Sequence, residues 1–413
     1  MITFSDKLII SSYFHAELEE NNISLLPIDH ARAFPLSFNV NNKKILKGTL
    51  NFYNKPFFLN YNGSNYIDPK KITVLTEEKK FNKIAVINVL DNCHGHSLLK
   101  LFFALKETSL NKDKDFLIII PRSLIHFLKA GIFTYTLVVD HTYASLEECY
   151  ILNKVIEPFL LNYESKYLFP IDTYGTISKE ELLSKINLLD RVVSRSIERI
   201  TFYYRSDFIR KWQGNGQFVN VIRLFTNLKQ FVSNEVIFTV IGNKDGRAFP
   251  AWIDDKRVTS YSVTNDFKEN EIYAQSKIVI SLTGSHMLIP SILSDCTVHL
   301  HPTYKYKNVA EDVVSFEGED TLINSYKHLY YYGNSNCSDI CPTKLTYLIV
   351  SHYLGLLEKT YKLTKIESDQ ESWIKQNHNY FLYDAVNGYR KKYIEKGNNK
   401  VKLLYYMNKL FGR

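Results

Sequence analysis

The sequence predicts an α/β chain of two doubly wound, Rossmann-like halves, introduced by a β-rich segment and closed by helices. From Lys83 onward, short runs of apolar and β-branched residues (KIAVINVL, FLIIIP, YTLVVD) alternate with stretches of helical periodicity (SLLKLFFALKE, SLIHFLKAG). Continuous runs of this kind belong to strands covered on both faces, and their alternation with helices builds parallel βαβ units. A second series starts at Arg199: RITFYYR, FVNVIRLFTNLKQFV, EVIFTVIG, RVTSYSV, NEIYAQS, KIVISL, MLIPSILS and TVHLHP. The length, 413 residues with 45% hydrophobic residues, supplies two domains of ordinary size.

Ahead of these halves, residues 1–80 alternate apolar and polar positions, as in ILKGTLNFYNKPFFLNYNGSNYI, where Asn62-Gly63 invites a hairpin. This is the β-rich lead-in. Residues 81–190 form the first Rossmann-like half, and KEELLSKINLLDRVVSRSIER, a helix followed by a polar stretch, marks its end near residue 190. Residues 191–345 form the second half. After His301 the strand pattern fades into EDVVSFEGED and HLYYYGNSN, and residues 346–413 are C-terminal helices, with TKLTYLIVSHYLGLLEKTYKL the long apolar-periodic one.

The formal net charge is +8, but residues 388–413 hold eight basic residues against Glu395, so the rest of the chain is close to neutral. That argues against a nucleic-acid-binding face on the body. Five scattered cysteines (Cys93, Cys149, Cys296, Cys337, Cys341) in a chain of this size point to a reducing compartment. The start lacks a basic segment followed by an apolar run, and no stretch of 18 or more apolar residues occurs, so neither a classical export signal nor a membrane span is expected.

In open parallel sheets ligands bind beyond the carboxyl ends of the strands. Asp91-Asn92-Cys93-His94-Gly95-His96 follows KIAVINVL and runs into a helix, bringing two imidazoles and a carboxylate to one turn. Neutral histidine titrates near working pH, so His94 and His96, with Asp91 and with Asp140 after YTLVVD, are the base candidates, in no fixed order. A helix cap at Asp91 or Asn92 is the plainer alternative. His94 and His96 lack a third ligand at matching spacing, so no metal site is expected.

Thr283-Gly284-Ser285-His286 follows KIVISL and opens the next helical stretch. Backbone N–H groups at such a turn, with Gly284 admitting a ligand and Ser285 and His286 adding donors, suit a diphosphate. Arg205, in Tyr203-Tyr204-Arg205-Ser206-Asp207, stands at the end of the opening strand of the same half, where a guanidinium grips phosphate bidentately, unless Asp207 occupies it. His301 ends the strand TVHLHP, while His299 on the same face reads as packed; Glu311 and Asp312 follow, either as hydroxyl-binding carboxylates or as a solvated turn. Asp113-Lys114-Asp115 has the D-x-D spacing of metal-dependent sugar transferases but precedes its strand.

Together, the stretches DNCHGHSLLKLF, YYRSDFIRKW and TGSHMLIPSILSDCTVHLHP resemble the GT61-type glycosyltransferases over residues 84–302. That family shows an Asn/His turn before a helix, an SR-x-D strand end and a G-x-H-G-A-x-L segment before a later strand. Here Met287-Leu288 stands in place of Gly-Ala, and His301 stands where the family often has an acidic residue. The resemblance implies a GT-B architecture, two Rossmann-like domains facing a cleft, with the acceptor domain first and the nucleotide-sugar donor domain second. It also implies inverting transfer from a nucleotide sugar, with UDP favoured and no tightly bound cofactor or metal. The acceptor would be a glycan or lipid-linked saccharide, in bacterial surface polysaccharide, capsule or lipopolysaccharide synthesis. Arg205, Gly284, Ser285, His286, His301 and Glu311 are then the donor-site residues, and the base lies in the first half.

In the tail, Leu403, Leu404, Met407, Leu410 and Phe411 recur at helical spacing while Lys402, Lys409 and Arg413 lie on another face. Such a stretch either packs on the body or lies on an anionic membrane surface, which gives a cytoplasmic protein a peripheral membrane location. Two other function classes stand beside the transferase. One is a CMP-sugar-dependent sialyl- or Kdo-type transferase or sugar epimerase; the other is a non-catalytic membrane-surface or nucleic-acid binding protein. No G-x-G-x-x-G follows a strand, which disfavours a dinucleotide oxidoreductase.

Overall fold

The computed structural model describes residues 2–12, 14–26, 36–50, 54–63, 66–141, 150–169, 176–189, 197–205, 212–213, 215–303, 312–318, 327–334 and 336–353. They form two compact units, Met1–Asn187 and Leu188–Arg413.

The first unit opens with β1 (Ile2–Thr3), β2 (Leu8–Ile10), β3 (His15–Glu19), β4 (Asn22–Leu25), β5 (Leu36–Asn39) and β6 (Ile45–Gly48). β2 to β6 pair in sequence order as an antiparallel five-stranded sheet. The next segment is helical, although its alternation reads as strand: α1 (Lys55–Asn60) has proline in its first turn, where no N–H is lost, and Phe57 and Phe58 pack against Phe38. Asn62-Gly63 closes no hairpin, because α1 precedes it and Tyr66 beyond it bridges Ile151.

β7 (Ile72–Thr76), β8 (Lys83–Asn88), α2 (His94–Leu110), β9 (Asp115–Pro121), β10 (Tyr135–Val139), α3 (Asn153–Leu160), β11 (Ser165–Leu168) and α4 (Lys179–Lys185) complete the unit. SLIHFLKAG yields only a 3-10 stretch, Arg122–Phe127. The sheet order is β1-β11-β8-β9-β10-β7, with the four central strands parallel and β1 and β7 antiparallel at the edges. Residues 1–80 therefore supply both borders of the first parallel sheet as well as the sheet before it. From β8 the chain winds one way through β9 and β10, then returns to the other side at β11, so the order reverses at β8.

The second unit contains β12 (Arg199–Tyr204), α5 (Gln217–Leu228), β13 (Ile237–Gly242), β14 (Asp254–Asp255), α6 (Val263–Gln275) and β15 (Ser276–Leu282). A 3-10 turn, Ser285–Met287, leads into α7 (Leu288–Leu293), and β16 (Cys296–Pro302), β17 (His328–Gly333) and α8 (Pro342–Tyr353) follow. All six strands are parallel in the order β14-β13-β12-β15-β16-β17, which in order of appearance is the 3-2-1-4-5-6 arrangement of the Rossmann fold.

Two readings of the sequence change in this unit. RVTSYSV is not the third strand: Val258 makes an isolated bridge to Asn243, and Ser262 caps α6 by accepting the Asn265 N–H at 3.1 Å. HLYYYG is the sixth strand, although the strand pattern fades in sequence after His301. The core lies between the sheet (Ile200, Phe202, Val240, Ile280, Val298, Leu300) and the apolar faces of α5 (Leu224, Phe225) and α8 (Leu345, Leu348), all fully buried. Each such side chain contributes about 1.5–3 kcal/mol through burial.

The rest of TKLTYLIVSHYLGLLEKTYKL and the basic tail lie outside the described residues. No described helix is long and apolar enough to cross a membrane.

Candidate functional site

In the second unit the strand order reverses between β12 and β15, and the residues just past those two strands meet. Arg205 Nη1 lies 3.3 Å from His286 Nδ1. A guanidinium only donates, so Nδ1 accepts and the ring proton sits on Nε2. Nε2–H then donates to Ser281 Oγ at 2.8 Å, and that hydroxyl donates to the Tyr203 carbonyl at 3.0 Å. The imidazole also packs on the Tyr203 ring, centroids 4.6 Å apart. His286 is thereby oriented, and it holds Arg205. Gln217 fixes the backbone there by donating Nε2–H to the Arg205 carbonyl at 2.8 Å. An arginine beyond the opening strand, beside a glycine-containing turn, is an arrangement that can receive a phosphate group.

Gly284 and Ser285 sit in the turn with His286. Thr283, before them, donates its hydroxyl to buried Asp312. Asp312 is thus a structural brace of this turn. Glu311, like Ser206 and Asp207, lies outside the described residues. His301 is fully buried against the Tyr330 and Tyr332 rings, its Nδ1 2.9 Å from the Pro302 carbonyl. His299 is packed: Nε2 is 2.8 Å from Thr297 Oγ1, its ring stacks on Tyr330, and burial, aided by His328 and His301, holds it well below the usual imidazole range.

One carboxyl at this end of the sheet escapes a reading of the sequence. Glu269 on α6 is 7% exposed, and its Oε1 has no hydrogen-bond partner among the described residues. Burial first, then the Asp266 carboxylate, pushes it up to about 7, against the pull of the Gly242 N–H. It carries its field to the Tyr203 and Tyr261 hydroxyls, which lie 2.5 Å apart. In sequence, Glu269 sits among Asp266, Lys268 and Glu271, and reads as part of a solvated helix face.

In the first unit, Asp91 lies past the end of β8, where that sheet's order reverses. Its carboxylate is fully buried: Oδ1 accepts the Cys93 N–H at 2.9 Å, and Oδ2 lies 3.1 Å from Lys100 Nζ. Lys100, itself 2% exposed, also donates to the Leu90 carbonyl at 3.2 Å. His96 Nδ1 is 3.5 Å from Asp91 Oδ1, and His141 Nε2 is 2.7 Å from the Asp91 carbonyl oxygen. Asp91 therefore both turns the chain into α2 and aligns His96, while His94 at the helix start is exposed. Asp140 is directed elsewhere, paired with Arg122.

Lys100 is the residue a reading of the sequence misses here, and its signal is a lone lysine inside the apolar run LLKLFF. Behind the pair, burial first and the Lys100 charge second push His15 down to about 3. Asp113 and Asp115 lie at the amino end of β9, where Asp113 pairs with Lys83 and Lys114 and Asp115 accepts from Lys80 N, Phe81 N and the Tyr163 hydroxyl. Among the described residues, no three His, Cys, Asp or Glu side chains are grouped to hold a metal ion.

No protein-family model matches the chain, and no curated protein does. Solved structures do match in part. The glycosyl transferase family 9 protein from Veillonella parvula is 8% identical, with a TM-score of 0.41, covering 68% of this chain and 99% of its own. The dodecameric iron-containing heptosyltransferase TibC, solved with ADP-D-β-D-heptose, is 10% identical, with a TM-score of 0.39, covering 79% of this chain and 83% of its own. The E. coli heptosyltransferase WaaC, solved with ADP, is 9% identical, with a TM-score of 0.31, covering 66% of this chain and 73% of its own.

Proposed function

We propose that the chain is a nucleotide-sugar-dependent glycosyltransferase of the GT-B kind, resembling the GT61-type enzymes in its three motifs. The observation that carries this reading is the Arg205–His286 pair at the reversal point of a 3-2-1-4-5-6 sheet. Arg205, with the turn at Gly284, Ser285 and His286, binds the diphosphate of the donor, a UDP-sugar in the favoured case. Glu311 completes the donor side in this reading, while His301, fully buried against Tyr330 and Tyr332, supports the end of its strand without reaching the donor.

In the transfer, His96 accepts the proton of the acceptor hydroxyl, with Asp91 orienting its ring. The hydroxyl oxygen forms its bond to the anomeric carbon from the face opposite the leaving group, and the bond from that carbon to the diphosphate oxygen breaks. The electron pair leaves with the phosphate, whose growing charge Arg205 stabilises. An acceptor that is a glycan or a lipid-linked saccharide, in surface polysaccharide or lipopolysaccharide synthesis, agrees with the basic amphipathic stretch in residues 388–413, which suits an anionic membrane surface in the cytoplasm.

Thermal unfolding with UDP, GDP, CMP and NAD, for wild type and His286→Ala, tests the reading. A ligand at about 100 times its Kd stabilises the native state by about 2.7 kcal/mol. One nucleoside diphosphate raises the wild-type Tm by several degrees and moves the variant less. A response to CMP alone transfers the assignment to CMP-sugar enzymes, and silence with all four removes the nucleotide.

A further inference from the structure

Asn220, Arg223 and Asn227 recur at spacings of three and four along α5, on one face of the helix. They line a cavity of about 540 Å³ in the second unit, whose other wall is the segment leading into the start of α8. α5 and α8 share an apolar core through Leu224, Phe225 and Leu228 on one side and Leu345 and Leu348 on the other, and beside that seam the wall of this cavity is made of amides and the exposed guanidinium of Arg223.

Asn227 donates Nδ2–H to Thr343 Oγ1 at 3.4 Å, and the other hydrogen bonds here leave both donors and acceptors open. Asn220, only 2% exposed, donates Nδ2–H to the Gln213 carbonyl at 3.0 Å, and its Oδ1 has no partner among the described residues. Arg223 and the side chain of Asn215 make no ion pair or hydrogen bond among those residues. Gln213 accepts from Asn336 through Oε1 at 2.9 Å, which leaves its Nε2 donors. Asp339 accepts the Asn334 N–H through Oδ1 at 2.7 Å, which leaves Oδ2.

This mixture selects a chemistry. A phosphate ester accepts and is repelled by Asp339; a hard metal ion needs several oxygens and is repelled by Arg223, and no three His, Cys, Asp or Glu side chains are grouped here among the described residues to hold a softer one. A hydroxyl both donates and accepts, and vicinal hydroxyls match the paired N–H and C=O groups of amides and the fork of a guanidinium. We propose that this cavity is a saccharide-binding subsite for a neutral oligosaccharide, separate from the Arg205–His286 site. No aromatic ring lines it, so binding is weak, with Kd in the millimolar range. The assignment does not depend on the nucleotide reading, because none of its residues belongs to that site.

Saturation-transfer NMR with maltotriose, cellotriose and chitotriose on the full chain tests it. At least one trisaccharide receives saturation from wild type and from Arg205→Ala, and the signal falls by about tenfold, the equivalent of one to two lost hydrogen bonds, in Arg223→Ala/Asn215→Ala. Asn227→Ala/Asp339→Asn gives the same loss, which guards against misfolding of the first pair; unchanged thermal unfolding shows that each variant is folded. Three results overturn the proposal: no transfer to any of the three sugars, transfer unchanged in both double variants, or transfer abolished by inorganic phosphate. Failure of the nucleotide reading shows instead as silence in thermal unfolding with nucleotides, whatever the sugars do.

Discussion

Lys100 Nζ and Asp91 Oδ2 lie 3.1 Å apart with both side chains almost wholly out of water, so the turn carrying the proposed base is built on a buried ion pair. Removing one partner strands the other, whereas removing both does not. Lys100→Met is expected to lower stability by about 3–5 kcal/mol, and Asp91→Asn/Lys100→Met to recover most of that loss. Denaturant unfolding of the two single variants and the double variant measures the coupling; additive losses would show that the pair is not coupled.

His96 is the imidazole aligned by Asp91, so His96→Ala is expected to slow transfer by about 10²-fold or more while leaving the Kd for the nucleotide unchanged. His94, exposed at the helix start, is expected to tolerate the same change within a few-fold. Single-turnover rates beside nucleotide titrations separate the two effects.

Glu269 ties stability to pH. Its folded value of about 7 lies above the 4.5 of the free carboxyl, so the folded state holds this proton more tightly. The contribution is fully present below pH 4.5, declines between there and pH 7, and is lost above, a span of about 3 kcal/mol. Glu269→Gln cannot ionise, so thermal unfolding from pH 4.5 to pH 8 should show the variant gaining on wild type as pH rises. Parallel curves would place the titration elsewhere.

Gly242 ends β13 with φ +92°, and a Cβ there would stand 2.3 Å from the Tyr204 carbonyl oxygen. Gly242→Ala must shift the end of β12, next to Arg205, or break the Gly242 contact to Glu269. A loss of about 1–3 kcal/mol is expected in denaturant unfolding, with weaker nucleotide binding.

The parallel sheets are legible in the sequence because strands buried on both faces leave uninterrupted apolar runs, as at FLIIIP and KIVISL. β14 is not legible: two aspartates, Asp254 and Asp255, join the sheet through backbone pairing with β13, and no side-chain pattern announces that. α1 misleads because it lies inside ILKGTLNFYNKPFFLNYNGSNYI, whose overall alternation reads as strand, while its own proline and phenylalanines satisfy a short helix. At the candidate sites, strand ends could be located, which brought out Asp91, Arg205 and His286. Glu269 could not, because a charged residue among other charged residues on a helix reads as solvated until its neighbours in space are known, and Lys100 announces itself only as a lone lysine in an apolar run, with no partner visible in sequence. Asp140 illustrates the converse, since its position past β10 is right for a site while its carboxylate is taken by Arg122.

The most direct test is calorimetric titration of UDP, or of whichever nucleoside diphosphate stabilises the protein, into wild type, Arg205→Ala and Arg205→Lys. A charge-assisted hydrogen bond contributes about 1.5–3 kcal/mol, so Arg205→Ala should weaken binding by about 10- to 150-fold. Arg205→Lys should restore only part of it, because an ammonium cannot reproduce the bidentate grip. Equal affinity in all three proteins, or none in wild type, would contradict the assignment of the Arg205–His286 pair as the diphosphate site.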